Sequence, residues 1–309
     1  MLRSEKNLFV IHAIGLIFLV VIMLFYASMP AWPSLYTPLL LVSVVMMAFA
    51  LALRLLDTLP RVALTLIALC HFAFLVILIT DVNVALMPTG SIINDQWLMQ
   101  LDAAIFGYVW ERYVAFFTDY PNLIAALRIV YVSVFSMFLV TVLSLGLSGE
   151  ARKLQHMVWT AAIAGMLTLI IWSALSTFGP TAIIATPRPE VAQADILVNV
   201  DYGRVLRSFA ARGIDGNANA TLGGLIAFPS FHMVMALIAA WFSWRHWAGY
   251  VVIPLAAIMA PATLLHGGHH LLDIFGGLVV FIVALVVARA IVFNSFLADP
   301  VRFKFAETK

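Results

Sequence analysis

Residues 269–293 read HHLLDIFGGLVVFIVALVVARAIVF and decide the class of fold. After its opening polar residues the stretch is apolar over about 20 residues, which is the length that an α-helix needs to cross the hydrocarbon core of a bilayer. The rest of the chain has the same character, because 64% of its 309 residues are hydrophobic and only 10% are charged. Soluble domains carry about 25% charged residues. The composition therefore excludes a soluble fold.

Comparable apolar runs recur along the chain and predict an all-α, polytopic membrane bundle of about eight spans. We expect two leading spans in residues 1–60, a bundle of the six remaining spans in residues 61–295 and a cytoplasmic tail in residues 296–309. The predicted spans are residues 8–27, 35–56, 62–86, 122–147, 156–178, 230–247, 249–267 and 269–293.

Two of the connections between these spans are long. Near residues 95–118, apolar side chains recur at helical spacing with charged residues between them, a pattern typical of an amphipathic helix in the membrane interface. The connection 179–229 is the most polar part of the chain and contains four arginines, among them Arg188. A polar connection of this length is where we expect groups that bind a charged substrate.

The distribution of basic residues predicts the orientation in the membrane. If the N-terminus is inside, 11 of the 17 Lys and Arg residues fall on the cytoplasmic side. Lys and Arg are enriched in cytoplasmic loops, so both termini are predicted to be cytoplasmic. The connection 179–229 and the starts of the sixth and eighth spans then lie on the extracytoplasmic side.

Two short motifs carry the candidate chemistry. Pro229-Ser230-Phe231-His232 opens the sixth span, where Ser is a good helix N-cap and the free amides of the first turn bind anions. His269 and Asp273 are four residues apart at the start of the eighth span, a spacing that places both on one helix face. A carboxylate there orients the imidazole and stabilises its charged form. Two imidazoles beside an anion site indicate phosphoryl transfer through a phosphohistidine.

Two arginines are candidates for binding the phosphate. Arg188 lies between Pro187 and Pro189, which restrict its backbone, and its planar side chain can grip two phosphate oxygens. Arg128 lies about two turns into the fourth span, where it either faces the cavity or extends to the lipid headgroups. An ordinary interfacial arginine is the alternative at both positions.

Structural roles are the alternatives for the histidine motifs. Ser230 is also a common residue at an ordinary helix start, and His269 with Asp273 also fits a hydrogen bond that closes the bundle. His266 and His270 are a second pair four residues apart, and a cluster of imidazoles with Asp273 would suit zinc or copper. We favour a site without metal or other cofactor, because an anion site at a helix start has no purpose in a metal centre.

Composition also bears on the partners. A net charge of +2 gives no argument for binding nucleic acid, and a single cysteine excludes an intrachain disulfide and a Cys-based metal cluster. The expected partners are the bilayer and its lipids. A lipid transporter is the non-enzymatic alternative, but the sequence shows no internal repeat of the kind that many transporters carry.

The two histidine motifs resemble those of the type 2 phosphatidic acid phosphatase superfamily, membrane enzymes with a six-helix catalytic core. Pro229-Ser230-Phe231-His232 is similar to its Pro-Ser-x-His motif, and His269 with Asp273 is similar to the motif that holds its nucleophile. The resemblance implies that His269 attacks phosphorus, that Asp273 supports it and that His232 protonates the leaving group. It also implies that Ser230 and Arg188 hold the phosphate.

The sequence departs from the superfamily at two basic positions. Thr181 stands where a Lys precedes the Arg-Pro motif, and Thr263 stands where an Arg precedes the nucleophile. The branch of fungal inositol phosphorylceramide synthase and its bacterial relatives lacks these basic residues too, and the chain resembles it over roughly residues 95–290. This resemblance favours a lipid phosphotransferase of sphingolipid or phospholipid metabolism in a bacterial inner membrane. A lipid phosphate phosphatase is the alternative.

Overall fold

The computed structural model describes residues 33–86, 93–212 and 225–297, together with a few isolated positions near the N-terminus. All regular secondary structure in these ranges is helical, and several helices are apolar and long enough to cross a bilayer. The protein is therefore a polytopic helical membrane protein, as the sequence predicts. The predicted leading span 8–27 and the predicted tail lie almost entirely outside the described residues.

Helices follow one another closely through the described parts of the chain. In chain order they are α1 (Pro33–Leu55), α2 (Pro60–Ala85), α3 (Ile93–Phe106), α4 (Trp110–Thr118), α5 (Pro121–Val132), α6 (Val134–Leu147), α7 (Ala151–Leu175), α8 (Pro180–Ile183), α9 (Pro189–Ala192), α10 (Val200–Arg212), α11 (Phe231–Ser243), α12 (Gly249–His266) and α13 (Leu271–Leu297). The helices α8, α9 and α10 all lie in the long connection between α7 and α11.

Within the described residues, four helical stretches are long and apolar enough to span a bilayer by themselves: Pro60–Asn83, Ala151–Ile183, Gly249–His266 and Leu271–Asn294. The pair α5 and α6 makes a fifth candidate if the two helices form one bent span. Shorter apolar helical stretches lie at Leu39–Leu55 and Phe231–Ser243. Each predicted span inside the described ranges thus corresponds to an apolar helix, and four or five of them have the full length.

Two helices that were expected to be continuous are interrupted. The predicted span 122–147 is bent by 44° between α5 and α6, where the hydroxyl of Ser133 donates to the carbonyl of Val130 at 2.7 Å. Such back-bonding by a serine competes with the helical hydrogen bonds and bends a helix. The predicted interfacial helix near 95–118 is two helices, because Gly107 has a φ of 63°, a left-handed conformation that ends α3.

The helix α7 lies at the centre of the bundle and packs against α13, α2 and α11. Small residues allow the close approaches between these helices. A side chain on Gly165 of α7 would collide with Ile79 of α2, and one on Gly146 of α6 would collide with Thr65 of α2. At these two glycines, side chains of α2 therefore pack directly against the backbones of α6 and α7, and a larger residue would not fit.

Backbone hydrogen bonds bring the ends of three helices together at one end of α7. The N–H of Phe228 donates to the hydroxyl of Thr177 at 2.8 Å, and the N–H of Ala227 donates to the Thr177 carbonyl at 3.2 Å. In the connection before α10, the N–H of Val198 donates to the carbonyl of His266 at 3.0 Å. The start of α11 and the loop between α12 and α13 are thus held beside the end of α7.

Several loops that the distribution of Lys and Arg predicts to be cytoplasmic meet at the opposite end of α7. His246, after α11, lies 2.9 Å from the hydroxyl of Ser144 and 3.6 Å from the carboxylate of Glu150. Gly149, in the turn between α6 and α7, lies against the side chain of Arg61 at the start of α2. Loops that were predicted to share one side of the membrane therefore contact one another, while the orientation itself stays a prediction.

Candidate active site

His269 and Asp273 form the pair that their spacing predicts. The Nδ1 atom of His269 lies 2.9 Å from Oδ2 of Asp273, and both side chains are buried. The prediction that both residues lie on one helix face is wrong, because α13 begins at Leu271 and His269 lies in the loop before it. The same carboxylate oxygen accepts the backbone N–H of His270 at 2.9 Å. Asp273 therefore folds the preceding loop back over the first turn of α13 and holds the imidazole there.

This contact determines which nitrogen of His269 is free to react. An ionised carboxylate only accepts hydrogen bonds, so Nδ1 carries the proton that faces Asp273. The lone pair of the neutral imidazole is then on Nε2, which lies 3.5 Å from the hydroxyl oxygen of Ser230. The nitrogen with nucleophilic character thus faces the start of α11.

Ser230 occupies the N-cap position of α11, as the sequence predicts. Its hydroxyl accepts a hydrogen bond from the N–H of Met233 at 3.5 Å, and the residue is fully buried. Its own N–H donates to the carbonyl of Asp273 at 3.0 Å, so the two motifs are joined directly. A helix start with its positive dipole end attracts anions. A phosphate bound there would lie next to Nε2 of His269.

His232 lies in the first turn of α11 and is partly buried. Its ring stacks on Tyr131 of α5 with the centroids 4.2 Å apart and the planes 13° from parallel. The ring of Phe135 approaches it edge-on at 6.5 Å. Ser230, two residues before His232, lies 3.5 Å from Nε2 of His269. The structure thus brings both predicted histidines to the same end of the bundle.

Arg188 is exposed at the start of α9, and its backbone N–H donates to the carboxylate of Glu111 at 3.2 Å. Its guanidinium makes no hydrogen bond or ion pair with any described residue. The side chain is therefore available to a ligand. The structure does not show its guanidinium in contact with His269 or Ser230, so its role in binding phosphate stays a prediction.

The other arginines near the site have partners on the protein. Arg128 donates from Nη2 to the backbone carbonyl of Asp195 at 2.7 Å and to its carboxylate at 2.5 Å. Arg204 pairs with the carboxylate of Asp201 at 2.5 Å. Arg207 donates from Nη2 to the carbonyl of Ile184 at 3.1 Å. Arg128 thus ties α5 to the connection before α10, and its predicted contact with substrate stays a prediction.

The sequence-based prediction gave no role to Asp95 and Asp102, and it named His270 only as a possible partner of His266 or a possible metal ligand. Asp95 and Asp102 lie on α3 and are buried, with exposures of 0% and 1%. Oδ1 of Asp95 lies 3.2 Å from Nε2 of His270. Since the two aspartates are seven residues apart, they share a helix face. That spacing on an amphipathic helix is the signal in the sequence that could have identified them.

Burial and neighbouring charges change the pKa values in this cluster. Burial raises the pKa of Asp95 and of Asp102 above the ordinary value for a carboxyl group. Burial alone would lower the pKa of His270, but its hydrogen bond with Asp95 and the charges of Asp273, Asp95 and Asp102 raise it overall.

The proposed second pair of His266 with His270 does not form. Nε2 of His266 instead lies 2.9 Å from the carbonyl of Ile124.

The two threonines at the family's basic positions are fully buried. Thr181 packs between Gly203 of α10 and Gly268 of the His269 loop, and a side chain on either glycine would contact it. Neither the Thr181 nor the Thr263 hydroxyl has a hydrogen-bond partner among the described residues. The space behind the His269 loop therefore contains neutral hydroxyls where the family's pattern has cationic side chains.

The histidines near the candidate site have partners other than a metal ion. Over the described ranges, no group of three or more His, Cys, Asp and Glu side chains is arranged to hold a metal ion. His269 and His270 instead contact carboxylates, and His266 contacts a backbone carbonyl. The arrangement that is present, an imidazole whose Nε2 faces Ser230 at a helix start, is suited to attack on a bound phosphate ester.

Comparison with known proteins identifies the family. A family model described as the PAP2 superfamily matches residues 96–287, a segment that runs from α3 to α13 and contains every site residue predicted from the sequence. No curated protein and no solved structure matches the chain.

Proposed function

Because the chain belongs to the PAP2 superfamily of phosphoryl-transfer enzymes, we propose that it is a membrane-embedded lipid phosphotransferase that acts through a phosphohistidine on His269. The observation that carries the proposal is the orientation of this imidazole. Its Nδ1 faces Asp273 at 2.9 Å, and its Nε2 faces Ser230 at the start of α11. A nucleophile, its supporting carboxylate and an anion site are thus in direct contact.

In the first step, Nε2 of His269 attacks the phosphorus atom of a bound phospholipid. A bond forms between nitrogen and phosphorus, and the bond between phosphorus and the leaving oxygen breaks. His232 supplies a proton to that oxygen, so that the donor lipid departs as an alcohol. Asp273 stabilises the positive charge that develops on His269, and Arg188 with the amides of α11 stabilises the equatorial phosphate oxygens.

In the second step, the phosphohistidine is discharged to a lipid alcohol. His232, now neutral, accepts the proton of the attacking hydroxyl group, whose oxygen forms a new bond to phosphorus. The bond between phosphorus and Nε2 breaks, and His269 returns to its starting form. Both steps use the same two imidazoles with their roles reversed: His269 first attacks and then leaves, and His232 first donates a proton and then accepts one. Atoms and charge balance over the cycle.

The two threonines at the superfamily's basic positions support transfer of a phospho-headgroup. A phosphomonoester carries up to two negative charges near neutral pH, whereas a phosphodiester carries one, so a diester needs fewer basic partners. Thr181 and Thr263 place neutral, buried hydroxyls where the family's pattern has Lys and Arg. The resemblance to the inositol phosphorylceramide synthase branch points to the same reaction, with a phosphodiester donor and a lipid alcohol as acceptor.

We also propose that the site opens to the extracytoplasmic side of a bacterial inner membrane, with both termini in the cytoplasm. The proposal rests on the excess of basic residues in the other loops. It is supported by the contacts of Arg61 with Gly149 and of Glu150 with His246 at the end of α7 that is far from His269. The catalytic bundle would then begin near residue 61, after the leading spans.

Turnover of labelled lipids by the purified protein tests the proposed function. The protein is incubated with phospholipids that carry the label in the headgroup phosphate, with and without ceramide or diacylglycerol. A labelled lipid product that forms only with an acceptor supports the transferase. Label released to water at the same rate with and without acceptor would make the enzyme a phosphatase. His269→Ala should be inactive, and His246→Ala, at the other end of α7, is the matched control that should keep activity.

A further inference from the structure

The helix α3 contacts the loop that carries His269 through two buried carboxylates, Asp95 and Asp102. Neither carboxylate touches His269 itself. They contact the residues immediately after it and the segment that follows α7. Buried charges in a membrane protein are costly and mark functional positions by default. Their contacts indicate what this function is.

Asp102 caps the N-terminus of α13. Its two carboxylate oxygens accept the backbone N–H groups of Leu271 at 2.6 Å and Leu272 at 3.0 Å. The first N–H groups of a helix have no partner within the helix, and a carboxylate there also interacts favourably with the helix dipole. The first turn of α13 is therefore fixed to α3, only two residues after His269.

Asp95 fixes the other side of the same loop. Its carboxylate accepts the N–H of Phe178 at 2.9 Å and the N–H of Gly179 at 2.8 Å, and it lies 3.2 Å from Nε2 of His270. Gly179 in turn lies directly against the carbonyl of Gly268. One carboxylate thus joins the segment after α7 to the residue next to the proposed nucleophile.

His270 connects the two carboxylates to the catalytic pair. Its Nδ1 lies 3.8 Å from Asp102, on the far side of the ring from Asp95. Its backbone N–H donates to the same oxygen of Asp273 that faces His269. A displacement of His270 would therefore move the oxygen that orients the nucleophile. The charges of Asp102 and Asp273 also repel one another, a cost that a neutral cap on α13 would avoid.

We propose that Asp95, Asp102 and His270 are positioning residues, which hold the backbone of residues 268–272 so that Nε2 of His269 faces the anion site at Ser230. The inference rests on the proposed function, because it assigns these residues to the reaction of His269. It also gives α3 a role, because this helix holds the loop that carries His269. By analogy with the residues that orient metal ligands, side chains that are one contact removed from the reacting group contribute about 10- to 100-fold to activity.

The test compares Asp102→Asn, Asp95→Asn and two changes at His270 in the full-length protein. Asn keeps the shape of Asp but removes the charge and one acceptor, so kcat should fall about 10- to 100-fold while KM changes little, since substrate contacts are kept. His270→Gln retains an N–H that can reach Asp95 and should restore much of the activity that His270→Leu loses. The matched control is Asp81→Asn, a buried carboxylate of α2 that is 4% exposed and outside this cluster.

Hydrogen–deuterium exchange supplies a readout that needs no substrate. In Asp102→Asn, peptides that cover residues 266–275 should exchange faster, while peptides from α7 and α12 keep wild-type protection. Faster exchange throughout the bundle, or unchanged exchange in 266–275, would overturn the inference. So would equal activity of His270→Gln and His270→Leu per folded molecule. If wild-type protein turns over no lipid phosphate ester, the proposed function fails, and the exchange pattern still decides whether α3 anchors the loop.

Discussion

The imidazole of His232 lies flat against the ring of Tyr131, with the centroids 4.2 Å apart and the planes 13° from parallel. The two residues belong to different helices, α11 and α5, and Tyr131 is almost fully buried. A buried aromatic face limits the orientations that the imidazole can adopt. The position of the proposed general acid is therefore set by a helix that carries none of the other proposed catalytic groups.

Removal of this stacking partner should slow the reaction through His232. Tyr131→Leu is expected to lower kcat by about 2- to 12-fold, because aromatic pairs contribute about 0.5–1.5 kcal/mol beyond simple burial. Tyr131→Phe retains the ring and should stay close to wild type. The measurement is kcat with a natural phospholipid and with an aryl phosphate ester, whose good leaving group needs no proton. An equal loss with both substrates would show that Tyr131 does not act through the general acid.

His269→Ala should abolish turnover, because it removes the attacking nitrogen that lies beside Ser230. The wild-type protein should form an acid-labile, alkali-stable phosphoenzyme when it is quenched during turnover, and the variant should form none. Peptide mapping of the trapped label should locate it on His269. Label on His232 or on Ser230 would assign the nucleophile elsewhere, and undiminished turnover in His269→Ala would contradict the mechanism.

Arg188→Lys should lose much of the activity although the charge is retained, because Lys cannot reproduce a planar two-pronged contact with phosphate oxygens. The loss of one such contact in a dry site costs about 2–4 kcal/mol in the transition state, which corresponds to a rate loss of roughly 30- to 1,000-fold. Arg128→Lys is the comparison and should lose less, since Arg128 is already bound to Asp195. If both Arg188→Lys and Arg188→Ala keep wild-type rates at saturating substrate, the phosphate is held by other groups.

The cluster around His270 should make stability depend on pH. The pKa of His270 is raised above its ordinary value of 6.5 by Asp95, Asp273 and Asp102, against the opposing effect of burial. A group with a raised pKa contributes stability that is complete below its unfolded pKa and is lost as the pH rises through its folded pKa. The Tm should therefore fall from about pH 6.5 upward, and His270→Gln should flatten this decline. Parallel Tm curves for the two proteins would contradict the assignment.

The predicted topology can be tested with a single cysteine. Gln193→Cys, exposed after α9, is introduced into a protein that carries Cys70→Ser, and intact cells are treated with an impermeant maleimide. Labelling is expected, because the connection 179–229 is predicted to be extracytoplasmic. Lys153→Cys, exposed at the start of α7, is the matched control that should react only after the membrane is opened. The opposite pattern would invert the protein in the membrane.

The sequence alone determined the fold class and the central part of the candidate site. Both depend on interactions between residues that are close together in the sequence. A membrane helix satisfies all its backbone hydrogen bonds within one segment, so each described span appears in the sequence as an apolar run. The contact between His269 and Asp273 spans four residues, and Ser230 caps α11 through Met233, three residues on. The contact of Ser230 follows from spacing within the first turn of a helix. His269 lies in the loop before α13, so its contact with Asp273 follows from their short separation along the chain and not from a shared helix face.

The tertiary structure decided which distant residues support that site. His270 meets Asp95 across 175 positions of the chain, and Asp102 caps Leu271 across 169. The pairing of Tyr131 with His232 likewise depends on how α5 packs beside α11. No spacing rule covers such separations, because the contacts depend on the packing of whole helices. In the sequence the two aspartates are only polar positions on an amphipathic helix, and packing brings them to the loop that carries His269.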